Sequence, residues 1–178
     1  MSVLIAKIFS DCIFIESQIV ANKSVNIKWR LQDSNSSSFV SPRKIIFRNC
    51  TFFEFPQVMK GCNINSLKTL EIVSCQFKEF EKVNFKYFFF KELYIIDCEL
   101  ETLNGDFFKN MRHVVKISFA GNKLKQIGPE LLDGLNQLDW VDFRYNSKIN
   151  MLFDAQNRNN SNTLNEIKAC LKSINSKH

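Results

Sequence analysis

The sequence has few of the residues on which catalytic sites are usually built. It contains 5 glycines, 3 prolines and 2 histidines among 178 residues. It has no glycine-rich phosphate loop, no Cys-x-x-Cys pair and no His-Glu-x-x-His motif. His113 precedes a predicted strand, where a solvated turn residue is favoured over a general base. We therefore expect a protein that is not an enzyme and that has neither a metal site nor a cofactor.

Long apolar runs and blocks of one charge are also missing. No stretch approaches the length of a membrane-spanning helix, so no membrane insertion is predicted. The net charge is +6, but the basic residues are scattered among acids, which does not indicate nucleic-acid binding. The first residues, MSVLIAKIF, are apolar but short, lack a basic region and are interrupted by Lys7. They form a poor secretory signal or a truncated remnant of one.

Large apolar residues are abundant and recur at a fixed interval. The chain has 18 phenylalanines and is 45% hydrophobic, which indicates one globular domain with a substantial core. Leu70, Leu93, Ile117 and Val141 follow one another at intervals of 23, 24 and 24 residues, and Ile45 lies 25 residues before Leu70. A period of this length predicts a solenoid, in which neighbouring units stack and share one core.

The repeat resembles the leucine-rich repeat family in its form of about 24 residues, LxxLxLxxNxLxxLxxxxFxxL. The resemblance covers about five repeats in residues 42–151. It implies an α/β fold, a right-handed horseshoe-shaped solenoid with short parallel strands on the concave face and irregular or helical segments on the convex side.

The resemblance also implies a function. The chain is similar to extracellular leucine-rich repeat proteins and Toll-like ectodomains, so we expect a non-catalytic, monomeric recognition module that is secreted or ectodomain-like. It is expected to bind a protein partner, and no nucleic acid, through its concave face. A cytosolic adaptor of the same fold is the alternative, and a thiol-dependent enzyme is the remote one.

The ninth position of each unit is occupied by a small polar or thiol side chain. The resemblance implies that this side chain turns inward after the strand and bonds to backbone groups of adjacent turns. The five residues at this position are Cys50, Cys75, Cys98, Asn122 and Asn146. Asparagine suits the role through its amide, and cysteine is small, readily buried and a weak donor. The three cysteines are therefore predicted to be free structural thiols.

Both ends of an open stack need a cover. Residues 1–41 are assigned to an N-terminal segment with a small β cap over residues 11–40, since 12–15 and 25–31 alternate like strands. Residues 152–178 are assigned to a polar linker and a C-terminal capping helix.

The predicted helix begins with a Thr-x-x-Glu capping box at Thr163 and Glu166. Cys12, Cys62 and Cys170 lie outside the repeat pattern. Whether any of them forms a disulfide stays open, with Cys12 and Cys62 as one pairing.

The outward positions of the predicted strands carry rings and charges of the kinds enriched at binding hot spots. Five residues occupy the same outward position in successive units: Ile46, Glu71, Tyr94, Ser118 and Asp142. The predicted partner-binding residues are Val73, Glu71, Tyr94, Ile96, Trp140, Asp142, Arg144 and Tyr145. The alternative is that single exposed apolar residues are ordinary on any protein surface.

Four Asn-x-Ser/Thr sequences are predicted acceptor sites for N-glycosylation, at Asn22, Asn35, Asn49 and Asn159. Their number favours an extracellular protein. The three ninth-position cysteines, Cys50, Cys75 and Cys98, and the lack of cysteine-rich flanking segments favour a cytoplasmic protein.

Overall fold

A computed structural model describes part of the chain. The described residues are 12–15, 18–22, 43–52, 55, 64–80, 83, 85, 88–109, 111–157, 159 and 162–175, with side chains from residue 43 to residue 174. The strands are β1 (Cys12–Ile15), β2 (Gln18–Asn22), β3 (Lys44–Arg48), β4 (Thr51–Phe52), β5 (Thr69–Val73), β6 (Gln76–Phe77), β7 (Glu92–Ile96), β8 (Thr102–Leu103), β9 (Lys116–Ser118), β10 (Gln126–Ile127), β11 (Trp140–Asp142) and β12 (Leu152–Asp154). A 3-10 helix spans Ile64–Ser66, and α1 spans Leu164–Asn175.

Eight strands form one sheet in the order β1-β2-β3-β5-β7-β9-β11-β12. The strands from β2 to β11 are parallel, and β1 and β12 pair antiparallel at the two edges. The residues of the predicted period lie opposite one another in a single row, Ile45, Leu70, Leu93, Ile117 and Val141. The predicted parallel-strand solenoid is therefore confirmed, whereas its horseshoe shape stays a prediction.

Alternation along each strand separates the core from the outward face. In β5 and β7, Leu70, Ile72, Leu93 and Ile95 are fully buried, and the residues between them are partly exposed. Successive side chains of a strand point to opposite faces, so one set from every strand enters the shared interior. Burying an aliphatic side chain of this size stabilises the fold by roughly 1.5–3 kcal/mol.

Phenylalanine rings continue this interior towards the return segments. Phe85 and Phe108 are buried at corresponding places in successive units, with Leu132 buried in the next. Phe107 lies between the two rings, with its centroid 5.5 Å from that of Phe85 and 4.9 Å from that of Phe108. These edge-to-face contacts, favoured by the ring quadrupoles, link neighbouring turns through one aromatic column.

The sheet begins earlier than the predicted repeats. β2 pairs parallel with β3, with Gln18 opposite Lys44, and β1 forms a hairpin with β2. The sequence pattern predicts the strand Cys12–Ile15 but not β2, whose sequence is QIVAN. The predicted strand at 25–31 and the loop that follows it lie outside the described residues.

A left-handed residue ends the outward strand in every unit. The backbone φ is 53° at Asn49, 52° at Ser74, 53° at Asp97, 68° at Gly121 and 61° at Tyr145. Each of these residues immediately precedes a ninth-position side chain, so the reversal of φ turns the chain from the strand into the core. At Gly121 a Cβ would lie 1.8 Å from Oδ1 of Asp97, so that carboxylate would have to move to admit a side chain.

Asn122 uses its whole amide to join two turns. Its Oδ1 accepts hydrogen bonds from the backbone N–H of Cys98 at 3.0 Å and of Leu100 at 3.1 Å. Its Nδ2 donates to the carbonyl oxygens of Ile95 at 2.8 Å and Phe119 at 2.9 Å. Asn146 repeats this arrangement one turn later, with the N–H of Leu124 and the carbonyls of Phe119 and Phe143. Buried backbone groups that would otherwise lack partners are satisfied in this way.

Three buried, free thiols continue the same ladder. The Sγ of Cys75 accepts the N–H of Cys50 at 3.3 Å, and the Sγ of Cys98 accepts the N–H of Cys75 at 3.4 Å. The thiols of Cys75 and Cys98 donate to the carbonyls of Val73 and Ile96, each at 3.2 Å. A thiol thus replaces part of the asparagine pattern with longer and weaker bonds.

The return side is more regular than expected. Instead of irregular or helical segments alone, β4 pairs with β6 and β8 pairs with β10, both parallel. The two pairs are separate sheets, because β8 and β10 start later in their units than β4 and β6. Glu99, with a φ of 59°, lies at this interruption beside a cleft of about 420 Å³.

The C-terminal segment packs onto the core. Thr163 and Glu166 form the predicted capping box, in which the N–H of Thr163 donates to Oε2 of Glu166 at 2.6 Å and the N–H of Glu166 donates to Oγ1 of Thr163 at 3.2 Å. Ile167 and Leu171 of α1 are fully buried in the same core cluster. That this helix and the N-terminal hairpin act as caps stays a prediction.

We predict that Asn122→Ala lowers the free energy of unfolding by about 3 kcal/mol or more, because it leaves several buried backbone groups without partners. Asn122→Cys should lower it by roughly half as much, since a thiol accepts one N–H and donates one weak bond. Urea unfolding followed by circular dichroism measures both. The exposed Asn136→Ala is the matched control and should change stability by less than about 0.5 kcal/mol. Equal stability of the three variants would contradict the bridging role of the amide.

Candidate partner-binding face

The side chains of β3, β5, β7, β9 and β11 that point away from the core form one surface, here called the strand face. In-register pairing aligns them in rows across the sheet. One row is Lys44, Thr69, Glu92, Lys116 and Trp140, and the next is Ile46, Glu71, Tyr94, Ser118 and Asp142.

Most of the predicted partner-binding residues are partly exposed on this face. They are Glu71, Val73, Tyr94, Ile96, Trp140 and Arg144, together with Tyr145, which follows β11 and is 74% exposed. The expectation that the whole outward column is exposed is wrong for three residues, Ile46, Ser118 and Asp142, all of which are buried. Ile46 nevertheless lies outside the hydrophobic core cluster, which agrees with its position on the outward side.

Two rings close over the middle of the strand face. Tyr94 on β7 and Trp140 on β11 have centroids 6.0 Å apart, although β9 lies between their strands. Ser118 on β9 stands in the row between Tyr94 and Asp142 and is 1% exposed. A small residue on the middle strand therefore lets two large neighbours meet above it, forming an aromatic bridge of Tyr94 and Trp140.

Asp142 is buried because it binds its own neighbour. Its carboxylate accepts the guanidinium of Arg144 at 3.0 Å from Nε and 2.7 Å from Nη2, and the backbone N–H of Arg144 at 2.9 Å. Asp142 is only 4% exposed, so a partner would contact Arg144 rather than Asp142. On the opposite side of the face, Glu71 pairs with Lys44 at 2.8 Å and with Arg48 at 3.3 Å.

The carboxylates near the aromatic bridge lack such partners. Within the described residues, neither Glu92 nor Asp139 forms an ion pair, and Oδ1 of Asp139 is buried without a hydrogen-bond partner. Glu92 accepts the hydroxyl of Thr69 at 2.9 Å. Burial raises the pKa of Tyr94 above the usual range of a phenol, and the charge of Glu92, a hydrogen bond with the Glu92 side chain, and the charges of Glu71 and Asp139 raise it further. Glu92 is therefore a direct neighbour of Tyr94 in the aromatic bridge.

Tyr145 is held at the end of the strand face in a conformation that tyrosine rarely adopts. Left-handed backbone costs an ordinary residue roughly 1–2 kcal/mol. The N–H of Tyr145 donates to Oδ1 of Asn150 at 2.9 Å, and the guanidinium carbon of Arg144 lies 5.9 Å from the ring centroid. The exposed ring and Arg144 thus form one preorganised aromatic and basic corner.

A further exposed aromatic group lies beside the strand face and was not predicted. Phe89 is 63% exposed and stacks on His113 with centroids 5.5 Å apart. His113 lies in the predicted turn, but the expectation that it is solvated is wrong, because it is half-buried and its Nε2 is buried without a hydrogen-bond partner. In the run KYFFFKEL the repeat pattern assigns Phe88 and Phe90 to apolar positions and leaves Phe89 without one.

The remaining cysteines and predicted glycosylation sites are only partly described. Cys170 is free, whereas the side chain of Cys12 and all of Cys62 lie outside the described residues. Asn49 and Asn159 are exposed, Asn22 belongs to β2, and Asn35 lies outside the described residues.

The thiols of the ladder are poorly placed for chemistry. Burial raises the pKa of Cys98 to about 12, so it carries no thiolate at neutral pH. Hydrogen bonding by Cys50 lowers the pKa of Cys75, but Cys75 is 1% exposed and no substrate can reach it. In the part of the chain that is described, no group of three or more His, Cys, Asp or Glu side chains is placed to hold a metal ion, and no helix is long and apolar enough to cross a membrane.

We predict that Tyr94 stays protonated when ordinary tyrosines ionise. The raised native pKa means that its contribution to stability is fully present below about pH 10 and is lost as the pH rises towards the native value. Phenolate absorbance should therefore show a delayed step in the native protein relative to the urea-unfolded chain, and this step should vanish in Tyr94→Phe. Identical titration of the native and unfolded chains would contradict the burial of Tyr94 beside carboxylates.

Comparison with known proteins agrees with the fold. The leucine rich repeat family model matches residues 90–147, which include β7, β8, β9, β10 and β11. No curated protein and no solved structure matches the chain. The matched residues carry the row of inward side chains, the left-handed turn and the ladder of Asn122. Residues 90–147 therefore match the leucine-rich repeat family.

Proposed function

We propose that this protein is a non-catalytic recognition module that binds a protein partner through its strand face. Leucine-rich repeats are typically protein-interaction modules, and the aromatic bridge on the strand face is the observation that carries the proposal. Tyrosine and tryptophan lose little side-chain freedom on binding and offer large contact areas, which is why they are frequent at interface hot spots.

The other residues of the strand face complete a binding surface of ordinary composition. Val73 and Ile96 lie side by side, half-buried, and supply an apolar centre. Paired charges surround this centre, Lys44 and Arg48 with Glu71 on one side and Arg144 with Asp142 on the other. An apolar centre with a polar rim is the usual anatomy of a protein–protein interface.

Rigidity supports the same function. Each strand of the strand face is hydrogen-bonded on both sides by in-register neighbours, from β3 to β11. The backbone that carries these side chains is therefore held in place before a partner arrives, and binding does not have to order it.

The test is binding by a variant that changes the centre of the strand face without changing the core. A partner is first captured from cells that make this protein, identified and purified, and its affinity is then measured by calorimetry. Ile96→Arg should weaken that affinity by roughly tenfold or more, equivalent to about 1.4 kcal/mol, because a bulky charge replaces an apolar contact. Its urea unfolding curve should remain close to that of the wild type.

Lys109→Ala is the control, since Lys109 is exposed on the segment between β8 and β9, away from the strand face. It should leave the affinity unchanged. Equal binding by wild type and Ile96→Arg, or equal loss in the two variants, would exclude the strand face as the contact surface.

We further propose that the protein is exported, with a cytosolic adaptor as the alternative. The exposed acceptor residues Asn49 and Asn159 support export, whereas the free cysteines Cys50, Cys75, Cys98 and Cys170 support a reducing compartment. Export predicts that protein produced in a eukaryotic secretory host shows a mobility shift on glycosidase treatment, which Asn49→Gln together with Asn159→Gln reduces. Retention in cells without a shift would favour the cytosolic alternative.

A further inference from the structure

We propose that the aromatic bridge, together with Glu92, is a site for a basic side chain, arginine or lysine, of the protein partner. This inference rests on the proposed function and specifies the chemistry that the partner presents to the centre of the strand face. The partner is thereby expected to carry an exposed basic residue within an otherwise apolar contact.

The distribution of ion pairs on the strand face is the first argument. Four of the acidic side chains on or beside it are Glu71, Glu92, Asp139 and Asp142, and Asp154 lies opposite Trp140 on β12. Glu71 and Asp142 form ion pairs with Lys44, Arg48 and Arg144 at 2.7–3.3 Å. Glu92 and Asp139 have no ion pair among the described residues. Two carboxylates without a salt bridge therefore lie at the aromatic bridge, with Lys116 beside Glu92 in the same row.

The aromatic bridge itself is the second argument. The ring centroids of Tyr94 and Trp140 are 6.0 Å apart, and the two ring planes are inclined by 58° to each other. The rings are therefore tilted and not stacked. Ring faces carry negative electrostatic potential, and a cation within about 6 Å of a centroid is attracted to it. A guanidinium or ammonium group can form a cation–π contact with a ring face and an ion pair with a carboxylate at the same time.

The third argument concerns Asp139, whose Oδ1 is buried without a partner. A charge removed from water is weakly screened, so it acts on its surroundings over a longer range than an exposed one. Asp139 directly precedes Trp140 in the chain, and its charge raises the pKa of Tyr94, so it lies beside both rings of the aromatic bridge. Asp139 thus attracts a cation through space, while Glu92 contacts it.

One basic residue of the chain competes for the same place. Lys116 lies in register between Glu92 and Trp140 and forms no ion pair within the described residues. Its ammonium group raises the local potential against an incoming cation. Removing that charge should strengthen the site, an effect that a purely structural role of Glu92 would not produce.

The experiment follows the indole N–H of Trp140 by nuclear magnetic resonance in nitrogen-labelled protein at low salt. The chain has 2 tryptophans, so Trp140→Phe assigns the signal. The probes are the blocked peptides Gly-Arg-Gly-Arg-Gly and Gly-Glu-Gly-Glu-Gly. The arginine peptide should shift the Trp140 signal saturably, and the glutamate peptide should not.

Variants separate charge recognition from folding. Glu92→Gln should weaken binding of the arginine peptide by roughly threefold or more, and Lys116→Gln should strengthen it by about twofold, as expected for single partly exposed charges. Glu101→Gln, an identical change on the return side, should have no effect. Equal response to both peptides, absence of a saturable shift, or indifference to Glu92→Gln would overturn the inference.

The purified partner distinguishes this inference from the proposed function. If Ile96→Arg abolishes partner binding and Glu92→Gln does not change it, the strand face binds the partner but not through a basic side chain, and the inference fails alone. If neither variant changes partner binding while the arginine peptide still shifts Trp140, the cation site stands and the proposed function fails.

Discussion

The structure depends on one constraint, the pairing of buried backbone groups at the point where each strand turns into the core. A solenoid turn that leaves its strand must bring several N–H and C=O groups into an apolar interior, where an unpaired group is costly. The left-handed eighth residue makes the turn and the ninth side chain satisfies the groups exposed by it. At Asn122 one amide joins backbone atoms of three segments, around Ile95, Cys98 and Phe119.

The same constraint fixes the outward surface. Because the ladder sets the register between turns, residues at equal places in successive units come into rows, and their outward side chains form columns on the strand face. The small Ser118 between Tyr94 and Asp142 follows from that register, and so does the closure of Tyr94 on Trp140 above it. A one-residue slip would exchange inward and outward faces and bury the charges instead.

The period, the inward rows and the place of the ladder could be predicted from the sequence because they recur in several units. The burial of Asp142 could not, because it depends on a contact with Arg144 two residues away that interrupts the column pattern. β2 was not predicted, since QIVAN precedes the residues in which the period recurs, and the separate return pairs reflect a shift that no period encodes. The repeat pattern gave Phe89 no position, and the structure exposes its ring. The pattern predicts the residues that recur in several units and not the surface residues that depart from it.

The charges of the strand face separate stability from recognition. Where stability alone decides, opposite charges on neighbouring strands pair, as Lys44 does with Glu71, or a carboxylate folds onto its neighbour, as Asp142 does onto Arg144. Lys116 stands beside Glu92 in the same row, yet the two do not pair. Under the proposed cation site, the Glu92 carboxylate is left for a basic side chain of the partner, beside the rings that two strands bring together.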